Sequence, residues 1–100
     1  MTGVFGKKVA IGQENGPEVD VVVYGDEHYA RYETPDGYSV IYDPDKGLFC
    51  YAVLRNGRFV SSGVPMTKSP PPQAQKHAEE SPEVRQAKVA ERLAAREGRP

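Results

Sequence analysis

One hundred residues carrying 13 basic and 14 acidic side chains make a chain of net charge −1, with room for one small domain. That balance gives no electrostatic case for nucleic acid or an anionic membrane, either of which would need a basic face. A lone cysteine excludes an intramolecular disulfide, and no segment is apolar enough for a membrane span.

The first 66 residues read as a succession of short strands broken by turns. Lys7–Ile11 is the first strand, closed by Glu14-Asn15-Gly16-Pro17. Glu18–Tyr24 follows, with Val19, Val21 and Val23 on one face and Val22 and Tyr24 on the other. Gly25-Asp26-Glu27 turns the chain into Tyr29–Thr34. Pro35-Asp36-Gly37 is a hairpin turn in which proline presets φ, aspartate bonds the local backbone and glycine accepts positive φ.

Tyr38–Asp43 is the fourth strand, and Pro44-Asp45-Lys46-Gly47 repeats the same turn chemistry. Leu48–Arg55 is apolar on both faces, the pattern of a central strand covered on both sides. Asn56-Gly57 between two β-prone runs is a two-residue hairpin signal. Arg58–Ser62 is the last strand. The fold class is therefore mainly β: an antiparallel β-meander, either a curved sheet or a small barrel.

Residues 67–80 hold the run Pro70-Pro71-Pro72, which favours extended polyproline II, and read as a Pro-rich linker. Residues 81–100 are rich in Ala, Glu, Arg and Lys and read as a charged helical tail. Ser81 can cap it, Pro82 suits its first position, and Glu83 complements the positive end of the helix. The helix is expected to stop at Glu97, before Gly98. Residues 79–99 carry five acidic and five basic side chains and few large apolar ones, so the tail is expected to add little to the stability of the β module (residues 1–66).

Few residues point to chemistry. His28 follows Asp26 and Glu27, but three consecutive loop residues rarely converge on one ion, and His77 lies 49 positions away. No His-Glu-x-x-His motif is present, so no catalytic or metal-ligating residue and no cofactor is expected. Cys50 is a reactive thiol only if exposed; inside an apolar strand it reads as a small buried hydrophobe. Six tyrosines are many for so short a module. Most suit core packing, and Tyr29, Tyr32 and Tyr38, with His28, are the candidates for a partner-binding surface.

Several short motifs resemble a known family when taken in order. They are Val23-Tyr24-Gly25-Asp26-Glu27-His28-Tyr29, Tyr32-Glu33-Thr34, Asp36-Gly37-Tyr38-Ser39-Val40, Gly47-Leu48-Phe49-Cys50-Tyr51-Ala52 and Asn56-Gly57-Arg58-Phe59-Val60-Ser61-Ser62-Gly63. Together, over about residues 5–65, they resemble the N-terminal, prosequence-like region of the immune inhibitor A family of zinc metalloproteases. The resemblance implies a non-catalytic segment that folds against or masks a metallopeptidase domain; no zinc ligand or general base carries over. That family is usually secreted, whereas Met1–Lys8 has no apolar run of signal-peptide length. The expectation is thus a soluble chain, cytoplasmic by default, that is not itself an enzyme. Two alternatives stand beside it: a β module binding a peptide or glycan through its tyrosines, or the front piece of a longer metalloprotease reading frame.

Overall fold

A computed structural model describes residues 4–25 and 29–97. The first six elements are strands: β1 Val4–Gln13, β2 Gly16–Gly25, β3 Ala30–Glu33, β4 Ser39–Asp43, β5 Leu48–Arg55 and β6 Arg58–Pro65. Helix α1, Pro82–Glu97, closes the chain. The strands form one antiparallel sheet in sequential order, β1 to β6, so the expected meander is what folds. The sheet is curved but stays open, with β1 and β6 as its edges, and the small-barrel form is not adopted. Among the described residues no helix is long and apolar enough to cross a membrane.

The turns follow the residue chemistry. Asn56 and Gly57 both have positive φ, at 54° and 77°, as a two-residue type I′ hairpin requires. At the β3–β4 turn Gly37 has φ 96°, and its N–H donates to the Thr34 carbonyl at 2.8 Å. Asp43 organises the β4–β5 turn: its carboxylate accepts from Asp45 N–H at 3.0 Å and its carbonyl from Gly47 N–H at 2.8 Å.

Three strands, β1, β2 and β6, run longer than their sequence patterns suggest. The tip of the β1–β2 hairpin is only Glu14-Asn15, because Gln13 pairs with Gly16, so pairing continues through residues that read as turn formers. Pro17 is tolerated there because β3 pairs with β2 only from Val22 to Gly25, leaving the far end of β2 with one neighbour. At the other edge, β6 passes Ser62 and reaches Pro65 through an irregularity at Gly63, whose φ is 80°. Both extensions turn on local backbone geometry, which side-chain periodicity does not encode.

Curvature comes from the hairpin tip folding onto the β4–β5 turn. Asn15 N–H donates to the Gly47 carbonyl at 3.0 Å, and the Gln13 side chain accepts from Phe49 N–H at 2.6 Å. The enclosed face holds the core, Val19, Val21, Val40, Phe49 and Tyr51, with Tyr32, Tyr38 and Tyr42 packed against it. Edge-to-face contacts link these rings: Tyr42 and Tyr32 against Phe49 at 5.1 and 6.2 Å, and Tyr38 against Tyr51 at 6.0 Å.

On the opposite face Cys50, Ala52 and Phe59 are buried too. β5 is therefore covered on both sides, as its sequence pattern demands, although it lies next to the edge strand rather than in mid-sheet. Part of its second cover comes from residues read as linker: Gln73, Gln75 and Ala78 border the surface of Ala52, Val53 and Leu54. The His77 N–H donates to the Gly37 carbonyl at 2.7 Å and the Ser81 N–H to the Gly57 carbonyl at 2.8 Å. A short strap, residues 76–81, is thus fastened at each end to a hairpin turn. Apolar content was a poor guide to this packing, because the strap attaches through hydrogen bonds.

Gly57→Ala is expected to destabilise the fold by at least about 1 kcal/mol, because L side chains rarely adopt such a φ. An added Cβ would also lie 2.8 Å from Ser81 Oγ. Gly37→Ala is expected to behave alike, its Cβ falling 3.0 Å from the His77 ring. Gly12 has nothing within 4 Å of its added Cβ. Gly12→Ala is therefore the control, expected to stay within about 0.5 kcal/mol. Urea midpoints of the three variants check the ordering, and equal losses at all three positions would refute it.

Candidate functional site

The chemistry-bearing side chains collect where the strap crosses the sheet. β3 carries Arg31 and Glu33 two residues apart, so both side chains point to the same face. Glu33 is 1% exposed and is bonded by Arg31, while His77 Nδ1 lies 3.0 Å from its other oxygen. His77 holds a positive φ of 55°, in a strap tied to the Gly37 turn. The Ser39 hydroxyl, buried beside this pair on β4, donates to the Ala78 carbonyl at 3.0 Å.

A second carboxylate is buried a few residues on. Glu80 is 2% exposed and accepts four hydrogen bonds from three donor groups. Phe59 N–H reaches it at 2.7 Å, the Tyr29 hydroxyl at 2.7 Å, and Lys88 Nζ both oxygens at 2.7 and 2.8 Å. Lys88 comes from α1, which begins where expected: the Ser81 hydroxyl accepts from Val84 N–H at 3.3 Å and caps the first turn. Glu80 therefore joins β6, the start of β3 and α1 through one side chain.

Burial alone would raise the Glu80 pKa, but the bonds from Lys88, Tyr29 and Phe59 outweigh it and hold the carboxyl below its usual range. Tyr29 is pushed the other way, well above the ordinary phenol value, first by burial and then by its bond to the Glu80 carboxylate. Both shifts describe a satisfied structural network. A carboxylate with all its donors in place has no free lone pair aimed at a substrate.

Beside this network β3 and β4 diverge. They pair only at Tyr32–Val40 and Glu33–Ser39, and beyond these a cleft of about 380 Å³ opens between the start of β3 and the end of β4. Tyr29, Tyr32, Tyr42, Phe49 and Phe59 form much of its wall. Arg31, Glu80, Lys88 and Arg92 supply its charged groups.

The residues singled out from the sequence are distributed unevenly. Tyr29 and Tyr32 both line the cleft, whereas Tyr38 lies elsewhere, packed on Tyr51 with Lys76 5.6 Å from its ring centre. All three are half-buried and engaged in internal contacts rather than displayed on an open surface. His28 lies outside the described residues. Cys50 is 0% exposed, and burial pushes its thiol pKa up, as for a small apolar core group.

Glu80, Lys88 and Arg92 read in the sequence as solvated tail charges, and the fold brings all three to the cleft. The available signal was the pair Glu80–Lys88 astride a helix cap, which puts an acid just before the helix and a base two turns into it.

No protein family, no curated protein and no solved structure matches this chain.

Glu80→Ala would leave the buried Phe59 N–H without its acceptor and is expected to cost about 1–3 kcal/mol. Its lowered pKa makes a contribution that is present above the ordinary value of 4.5 and is lost as pH falls through the folded-state value. The raised pKa of Tyr29 acts in the opposite sense, favouring the fold below 10.0 and losing that contribution as pH climbs above it. Urea midpoints against pH should thus show a plateau between these limits with a fall on each side. Glu80→Gln should flatten the acid limb, and an unchanged limb would remove Glu80 from the account.

Proposed function

We propose that the chain is a non-catalytic accessory module that folds against, or masks, the peptidase domain of a zinc metalloprotease. The observation that carries this reading is where the family-like motifs fall. They run through one continuous meander, from β2 to β6, and include its buried positions Glu33, Thr34, Ser39, Phe49, Cys50, Ala52 and Phe59. The turn glycines Gly37, Gly47 and Gly57, all at positive φ, belong to the same motifs. The motifs that resemble the family thus coincide with turns and with part of the core, which supports reading them together as one unit.

The surface best suited to a large partner is the outer side of α1. Pro82, Gln86, Val89 and Leu93 recur at helical spacing and border a shallow groove with Ala90. Leu93 is 38% exposed, whereas Lys88 on another side of the helix is held by Glu80. An apolar stripe beside a charged, anchored one is the pattern of a helix that lays one side into a partner's groove.

The test mixes the chain with a His-Glu-x-x-His peptidase domain from the same organism and follows complex formation and turnover. Binding is expected, with slowed turnover or improved refolding of the peptidase. Replacing Val89 and Leu93 together by Asp should weaken the complex by about tenfold or more, the effect of losing an apolar anchor worth 1–2 kcal/mol. Proteolysis by the isolated chain, or failure to bind any such peptidase, overturns the proposal.

A further inference from the structure

The two edges of the sheet are not alike, and the difference carries an inference that stands apart from the peptidase reading. An edge strand presents a row of N–H and C=O groups to any passing chain, and proteins blunt that row with prolines, bulges and charges. β6 is blunted in this way. Ser61 Oγ accepts from Gly63 N–H at 3.1 Å, Ser62 Oγ accepts from Val64 N–H at 3.2 Å, and the strand ends in Pro65. β1 contains no proline, and among the described residues only β2 bonds to its backbone between Lys7 and Gln13.

The register of β1 on β2 defines how much of that edge is regular. Between Phe5 and Lys7 the extra residue lies on β1, at Gly6, whose φ is 72°. Between Ile11 and Gln13 the extra residue lies on β2, which passes from Val19 to Gly16. β1 is therefore unbroken from Lys7 to Gln13, a segment whose middle residue is Ala10. A second copy laid antiparallel on it, about a two-fold axis at Ala10, pairs the whole segment. Ala10 then opposes its own copy, Val9 opposes Ile11, Lys8 opposes Gly12 and Lys7 opposes Gln13.

Side chains favour this register on both faces. Val9 and Ile11 share the face of Val19 and Val21, half-buried at the rim of the core, and the pairing sets each against an apolar counterpart. On the other face Lys8, Glu18 and Asp20 are exposed, and among the described residues none of them forms an ion pair. Lys8 of the second copy lands beside Gly12, above which the space is open. From there Glu18 is two strand spacings away, about 10 Å, with only the glycine between, and Asp20 is its neighbour. Lysine and glutamate side chains span that distance, and the two-fold axis makes the pair twice. An axis at Lys8 would set two lysines face to face, and one at Val9 would set Lys7 against Ile11. The lysines thus select one register.

We propose that β1 is a self-pairing edge, through which two copies of the chain join along Lys7–Gln13 into one continuous antiparallel sheet. The contact is isologous and the remaining edges are both β6, so assembly closes at two.

The experiment uses the full chain. Sedimentation equilibrium from micromolar to millimolar concentration should show monomer and dimer in exchange, with alternate amides of Lys7–Gln13 exchanging more slowly at the dimeric end. Ala10→Cys places two thiols directly opposite each other, roughly 4.5–5.5 Å apart at Cα, and should cross-link on mild oxidation. Lys8→Cys keeps its two thiols about 14 Å apart and should not. The wild-type chain, whose only cysteine is buried, is the blank. Lys8→Glu should weaken the dimer by about tenfold, and adding Glu18→Lys should recover it, which separates lost pairing from a folding defect. A chain that stays monomeric, equal cross-linking of the two cysteine variants, or a dimer whose β1 amides exchange freely would overturn the proposal. A monomer whose β1 amides are protected by an unrelated extended peptide would overturn it in favour of a peptide-binding edge.

Discussion

A carboxylate that must be buried sets the terms for this structure. Glu80 lies almost wholly out of water at the joint between the sheet, the strap and α1. Removing a carboxylate from water is costly unless donors replace the lost hydration. The four bonds it accepts come from a β6 amide, a tyrosine before β3 and a helix lysine. Those donors meet only when the strap lies across the Gly57 turn and α1 begins on schedule. One side chain therefore makes the placement of three elements mutually dependent.

The demand for such a strap originates in β5. With Phe49 and Tyr51 committed to the enclosed core, Cys50 and Ala52 are left on the opposite face, where a single-layer sheet would expose them. A second sheet or an apolar helix is the common solution. Here a polar segment does the work instead, lying along the face and fastening by its backbone to the Gly37 and Gly57 carbonyls. This explains how so short a chain covers both faces of a strand. It also explains why two turn glycines touch the tail, since any Cβ would occupy the space the strap needs.

How much of this could be read beforehand follows from which interactions are local. Asn56-Gly57, Pro35-Asp36-Gly37 and Ser81-Pro82 announce themselves because each satisfies or strains a backbone within a few residues. The alternation of Val19, Val21 and Val23 likewise shows which side chains share a face. What alternation cannot show is which face the coil encloses, and so whether Tyr32 and Tyr38 are core or surface. The buried roles of Glu33 and Glu80 were hidden for a related reason: beside their nearer partners Arg31 and Lys88, each needs one far along the chain, His77 at 44 residues and Tyr29 at 51. Charge in a polar, Pro-containing stretch reads as solvated until the fold brings those donors to it.

The cleft follows from the same geometry. β3 is short because Gly25, at φ 124°, ends β2 and the chain re-enters only at Ala30. β4, by contrast, is drawn toward β5 by four paired residues, Val40 to Asp43, and toward the β1–β2 hairpin by the Tyr42–Glu14 hydrogen bond at 2.9 Å. Two strands pulled toward different neighbours cannot stay paired along their whole length, so they part after Val40. Rings from the core then line the opening on one side, and cations anchored by Glu33 and Glu80 reach it on the other. Cover for β5 and an amphipathic cleft are in this way two results of one arrangement.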